Sequence, residues 1–372
     1  MKLINFVILL SAVLLSSACA NLKNVGEASK SSPSLLSFIG LAELPDWYVG
    51  SRYTYPDSKW IENDFGLRIH YRERGEGPVV LLVHGEASSL HSWEAWFEAL
   101  SQDHRVIAVD LPGSGLTGAT HCIYENTDTC ADNLSQDYIA HTLKYFIEDL
   151  KLNRFTLVGH SYGAYLSALY AKDNPARVEK LILLSPLAHQ QDIPEPVEYL
   201  SQSSTELLAS YVQPASLAID IAKLRYAEHD RLTQAAVERY IHLSQTDGAF
   251  RSNVLQMKLV RQLMEEGSLV DFSQLGIQTL ILWGERDKWG DVSHVERWES
   301  ELPNAVVVRY PFVGNLIMEE DPELALPDVT AYIAGDPLPS IDGGGSSGSF
   351  TIQDAVDALD QEALFGAPKA AE

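Results

Sequence analysis

The chain predicts an α/β fold: a mostly parallel central sheet with helices on both faces and a helical cap inserted late in the sheet. Three observations carry this. Apolar runs of strand length alternate with helix-period segments between residues 78 and 184. From Ala188 to about Gln274 only helical stretches occur, and strands resume at Gln278. One strand runs directly through Gly159-His160-Ser161-Tyr162-Gly163 into a helix.

The elements follow in order. Lys59 to Glu62 and Leu67 to Glu73 read as an early β-hairpin. Pro78 to Val83 is continuously apolar, as suits a strand buried on both faces. Ser92 to Leu100 is helical by its spacing of Trp93, Trp96, Phe97 and Leu100. The strand Arg105–Val109, the helix Tyr138–Leu150, the strand Phe155–Val158, the helix Ala164–Ala171 and the strand Val178–Leu184 come next. In the cap, Pro214–Ala227 and Leu232–Ser244 are helical. Strands at Gln278–Trp283 and Ala305–Tyr310 and a helix over Pro322–Ile333 close the domain. The organisation is thus a signal peptide at 1–18, a lipidated tether at 19–50, a first core part at 51–187, the cap at 188–274, a second core part at 275–336, and a Gly/Ser linker and tail at 337–372. The tail contains one amphipathic helix candidate, Phe350–Phe365, suited to a protein partner or to disorder.

With 372 residues and 46% hydrophobic residues, the chain can bury a large core. A formal net charge of −24 excludes nucleic acid and anionic lipid as natural partners. Met1-Lys2 followed by the apolar Ile4–Leu15 is too short to span a bilayer and reads as an export signal. It ends in Leu14-Leu15-Ser16-Ser17-Ala18-Cys19, which resembles the lipobox of bacterial lipoproteins, with Ser16 where Leu is usual. That resemblance implies lipidation of Cys19 and, with Ala20 following, anchoring on the periplasmic side of the outer membrane. Cys122 and Cys130 then remain as a pair, and an oxidising compartment favours their disulfide. A metal site from His121, Cys122 and Cys130 is the alternative, but no second ligand cluster accompanies it. No Gly-rich phosphate loop or metal cluster is present, so no cofactor is expected.

The chemistry centres on Ser161. In a strand–turn–helix context, Gly-x-Ser-x-Gly places its serine on a strained turn at a helix N-terminus, where developing negative charge is favoured. His84-Gly85-Glu86 follows the strand ending at Val83, Asp110-Leu111-Pro112-Gly113-Ser114-Gly115 follows the next, and Leu280-Ile281-Leu282-Trp283-Gly284-Glu285-Arg286-Asp287 is an apolar strand ending in a carboxylate. Together with Gly66–Tyr71 and Ser88–Trp93, these stretches resemble the α/β-hydrolase superfamily, in its capped esterase and C–C-hydrolase-like branch, over about Ser51–Ala334.

The resemblance implies a serine hydrolase of esters or related acyl compounds. Ser161 is then the nucleophile, Asp287 the triad acid (with Asp291 as second candidate), and the main-chain N–H groups of Glu86 and Tyr162 the oxyanion donors. The Glu86 side chain must point away for that, because a carboxylate beside an oxyanion opposes it. His84 and Asp110 take structural roles. The family's base is a histidine in P-x-x-G-H-x-x-x-x-E-x-P. This chain reads Pro311-Phe312-Val313-Gly314-Asn315-Leu316-Ile317-Met318-Glu319-Glu320-Asp321-Pro322, so Asn315 stands at the base position. An amide cannot take the serine proton. His294 is the first candidate for a substitute base; His160 should point away, and His91, His189, His229 and His242 complete the set. Two expectations follow: an ester hydrolase impaired at its base, or a non-catalytic lipoprotein of the same fold that binds a small-molecule ligand or a protein.

Overall fold

A computed structural model describes residues 35–64, 66–118 and 134–342. Cys19, the Cys122–Cys130 pair and the Phe350–Phe365 segment lie outside the described residues. Eight strands form one sheet: β1 Ser58–Glu62, β2 Arg68–Arg74, β3 Val79–Val83, β4 Arg105–Val109, β5 Phe155–His160, β6 Val178–Leu184, β7 Gln278–Gly284 and β8 Val306–Tyr310. Their order is β1-β2-β4-β3-β5-β6-β7-β8. β1, β2 and β4 pair antiparallel, and all pairings from β4 through β8 are parallel.

The helices are α1 Leu35–Phe38, α2 Asp46–Tyr53, α3 Glu94–Leu100, α4 Gln136–Asp149, α5 Tyr162–Asp173, α6 Glu195–Ser201, α7 Glu206–Ala209, α8 Ala215–Arg225, α9 Gln234–Ser244, α10 Ala249–Glu266, α11 His294–Glu301, α12 Ile317–Glu320, α13 Pro322–Ala334 and α14 Pro339–Asp342. The period-2 geometry of the strands divides the core into two layers. Leu81, Leu157, Leu183 and Ile281 face one side, packed with Phe146 of α4 and Trp298 of α11. Val80, Val158, Ile182 and Leu280 face the other, packed with Trp96 of α3 and Val329 of α13. Helix α4 starts at Ser135, whose hydroxyl accepts the Tyr138 N–H at 3.2 Å.

The cap helices α6 to α10 lie between β6 and β7. The eighteen-residue α10, which the sequence reading did not single out, spans much of the cap. The folded body also begins earlier than the expected tether boundary at residue 50. Leu44, Tyr48 and Val49 are buried, and the Leu44 N–H donates to the Gln245 carbonyl at 2.5 Å. The polar run ending at Ser34 suggested a tether, but the apolar residues after it fold against the cap. Among the described residues no helix is long and apolar enough to cross a membrane.

Candidate active site

The turn after β5 carries Ser161 at φ 51° and ψ −118°, a backbone conformation that L residues rarely adopt. Close packing enforces it. A Cβ on Gly163 would lie 2.1 Å from the His84 carbonyl oxygen, and one on Gly159 would lie 2.6 Å from the Ala164 Cα. The elbow therefore presses against the loop after β3, which brings Glu86 to Ser161.

Here the structure departs from expectation. The Glu86 side chain points into the site rather than away from it. The Ser161 hydroxyl donates to Glu86 Oε1 at 2.9 Å, and the Tyr162 N–H donates to Oε2 at 3.0 Å. The N–H expected to hold a substrate oxyanion thus holds the chain's own carboxylate. A carboxylate seeks hydrogen-bond donors, and the start of α5 supplies one with a favourable dipole. Oε1 also accepts from the Trp289 indole N–H and from Arg225 Nη2 at 3.3 Å. Arg225 Nη1 donates to the Glu86 carbonyl at 2.8 Å, and the guanidinium lies 4.9 Å from the centre of the Trp289 ring. The Arg225 and Glu86 side chains are 0% and 1% exposed, so this is a fully buried ion pair.

Asn315 occupies the base position and is completely buried. Its Nδ2 donates to Asp287 Oδ2 at 3.0 Å. Its Oδ1 accepts from Arg225 Nε at 3.2 Å and from His160 Nε2 at 3.0 Å. The amide therefore links the expected triad acid to the buried arginine, and it makes no hydrogen bond to Ser161. Asp287 Oδ1 accepts the N–H groups of Trp289 and Gly290 at 2.8 and 2.9 Å. Burial pushes the Asp287 carboxyl up to about 6 despite these donors and Asn315.

Among the described residues no histidine replaces the base. His294 Nε2 meets the Gln190 carbonyl at 3.1 Å, and its ring packs edge-on against His189. His160 faces Asn315, with burial holding it well below its ordinary value and therefore neutral. His84 accepts the Leu111 N–H on Nε2 at 3.0 Å, which leaves Nδ1–H for the Gly85 carbonyl at 2.6 Å. His91 Nε2 meets the Tyr53 carbonyl at 2.8 Å. Asp110 accepts the N–H groups of Leu90 and Leu116 and holds His70 at 2.7 Å, as a turn-bracing carboxylate does. Asp291 caps its own turn through the Ser293 N–H at 2.9 Å. Among the described residues there is no group of His, Cys, Asp or Glu side chains arranged to hold a metal.

The sequence reading missed Arg225 and the role of Trp289. One signal was available: an acidic residue in the oxyanion loop needs a buried cation, and Arg225 sits between the apolar Leu224 and Tyr226 at a helix end. Beside the site, a small cavity of about 50 Å³ lies between core and cap. Ala87, Ser88, Leu217, Ile221, Tyr240 and Met257 line it, and Ser161 does not, because Glu86, Arg225 and Trp289 enclose the serine.

Known proteins bear on this arrangement. The model of the alpha/beta hydrolase fold family matches residues 78–322. Human epoxide hydrolase 4 is 26% identical over 258 residues, covering 63% of this chain and 66% of the relative. Bovine monoacylglycerol lipase ABHD6 is 25% identical over 275 residues, covering 70% and 76%. The chain thus spans about two thirds to three quarters of the length of these relatives. Among solved structures, a membrane phospholipase A described as a novel bacterial virulence factor superposes with a TM-score of 0.61 at 22% identity, over 90% of this chain and 99% of that one. A meta-cleavage product hydrolase from Pseudomonas fluorescens superposes with a TM-score of 0.61 at 20% identity, over 74% and 97%. These structural likenesses speak for the fold. With its elbow, eight-stranded sheet and inserted cap, the chain belongs to the alpha/beta hydrolase fold family.

Proposed function

We propose that this chain is a member of the α/β-hydrolase family whose serine no longer carries out acyl transfer, and that it binds a small molecule with apolar parts in the cavity between core and cap. One observation carries the reading: the Glu86 carboxylate takes both the Ser161 hydroxyl and the Tyr162 N–H. Hydrolysis would need Ser161 to lose its proton to a base and a substrate oxygen to occupy the place of Glu86. Asn315 cannot accept the proton. Glu86 is a poor substitute, because its oxygens already accept from a guanidinium, an indole and a main-chain N–H. In a serine hydrolase, losing the base costs on the order of 10⁶ in turnover. Losing one oxyanion donor costs roughly 10²–10³. The ancestral chemistry that the family membership supports is hydrolysis of an ester or related acyl substrate, with Ser161 as nucleophile and Asp287 as acid.

A fluorophosphonate probe tests this. At neutral pH we expect no labelling of the native chain or of Asn315→His alone, and labelling of Ser161 in Glu86→Ala/Asn315→His. The double variant should hydrolyse a 4-nitrophenyl ester at least about 10²-fold faster than Asn315→His alone, the cost of one blocked oxyanion donor. Labelling of Ser161 in the native chain would overturn the reading and favour an active ester hydrolase.

We place the protein on the periplasmic side of the outer membrane, held by lipid on Cys19. Mass spectrometry of the mature N-terminus checks this by finding, or not finding, an acylated Cys19.

A further inference from the structure

Six large apolar side chains are exposed on the N-terminal segment and the cap it packs against: Leu36, Phe38, Leu41, Leu207, Leu208 and Tyr211, from 46% to 76% exposed. The segments that carry them are tied together through their backbones. The Gln213 N–H donates to the Gly40 carbonyl at 3.0 Å, and the Gln245 amide donates to both the Ser37 and the Gln213 carbonyls at 3.0 Å. A Cβ on Gly40 would lie 2.2 Å from the Gln213 carbonyl carbon. Exposed apolar side chains gathered in one region mark a surface that contacts something else.

We propose that this face seats on the surface of an uncharged lipid bilayer. Two observations choose the bilayer. The patch includes α1, the first described element, and only the fifteen residues 20–34 separate it from Cys19, where lipid is expected. Fully extended, those residues reach at most about 50–55 Å, so a lipid at Cys19 keeps this corner near the membrane. The carboxylate next to Leu207 is also balanced: Glu206 pairs with Lys258 at 3.0 Å and with Arg251 at 3.8 Å. Gln213, two residues beyond Tyr211, is one of the residues lining the cavity, so a seated chain would draw its ligand from the lipid. This last step rests on the binding reading above; the seating itself rests on the patch and on the anchor.

The test uses the full chain on phosphatidylcholine vesicles with and without bromine on the acyl chains. Trp is introduced at Leu208, in the patch, or at Leu269, which is 96% exposed. Leu269 lies beyond the far end of α10, whose near end meets Gln213 through the Phe250 carbonyl. Eighteen residues of helix separate the two ends by about 27 Å. The fluorescence added by Leu208→Trp should fall at least twofold with brominated lipid, and that added by Leu269→Trp should be unchanged. Bound chain with unquenched Leu208→Trp overturns the proposal, including the case where a second copy covers the patch. Cys19→Ser separates the two readings: quenching that persists without Cys19 supports the patch and removes the anchor. Loss of binding in Cys19→Ser, with quenching in the lipidated chain, supports both. No vesicle binding by either form overturns the proposal.

Discussion

Removing the Glu86 carboxylate should expose how the site is balanced. In Glu86→Ala the Arg225 guanidinium stays fully buried, with only the residue 86 carbonyl and Asn315 Oδ1 left as acceptors. The Trp289 indole N–H and the Tyr162 N–H lose their partner as well. Breaking a buried ion pair by deleting one member costs about 3–5 kcal/mol. A folded body of about 300 residues loses roughly 0.6 kcal/mol per kelvin at its midpoint, so Tm should fall by about 5–8 °C. Deleting both members is a different perturbation, because Glu86→Ala/Arg225→Met leaves no unpaired charge. It should recover at least about 2 kcal/mol relative to the sum of the single variants. Thermal and urea unfolding at neutral pH measure all four corners of this cycle. Additivity of the two single variants within about 0.5 kcal/mol would refute the claim that Arg225 is buried in order to hold Glu86.

Other outcomes follow from the same geometry. The Asp287 carboxyl is raised by burial to about 6, so the folded state holds a proton there that the unfolded state has released between pH 4 and 6. Its contribution to stability is therefore full below pH 4 and is lost as pH rises through 6, by about 3 kcal/mol at 1.36 kcal/mol per pKa unit. The native-minus-Asp287→Asn stability difference, followed by urea unfolding from pH 4 to 8, should show that slope. Trp289→Phe keeps the ring against Arg225 but removes the indole donor to Glu86, and should cost about 1–3 kcal/mol in the same assay. Gly163→Ala forces a Cβ to 2.1 Å from the His84 carbonyl oxygen. It should cost more than about 4 kcal/mol, read as loss of soluble folded protein.

The layered core was legible because its signals are local. Runs such as Val79–Val83 and Leu280–Trp283 declare strands buried on both faces, and the elbow declares its own turn. The absence of a base at residue 315 was equally visible, since it needs only a frame of flanking residues. What the sequence hid is the pairing across distance. Glu86 and Arg225 are 139 residues apart, and nothing local says that a cap helix ends inside the core site. The direction of the Glu86 side chain is hidden for the same reason: without its cation and indole donor, a carboxylate at an oxyanion hole is a liability. The short helices near the N-terminus are hard to see in the sequence because the polar Ser29–Ser34 run precedes them.

Arg225 is the last residue of a cap helix, yet all of its side-chain hydrogen bonds reach loops of the core. Swinging the cap outward would drag a guanidinium out of a dry pocket and leave Glu86 without its countercharge. The hinge that such an inserted layer otherwise offers is therefore bolted. Cap and core should melt together in a single calorimetric transition, and ligands should enter between the cap helices instead of beneath a lifted lid.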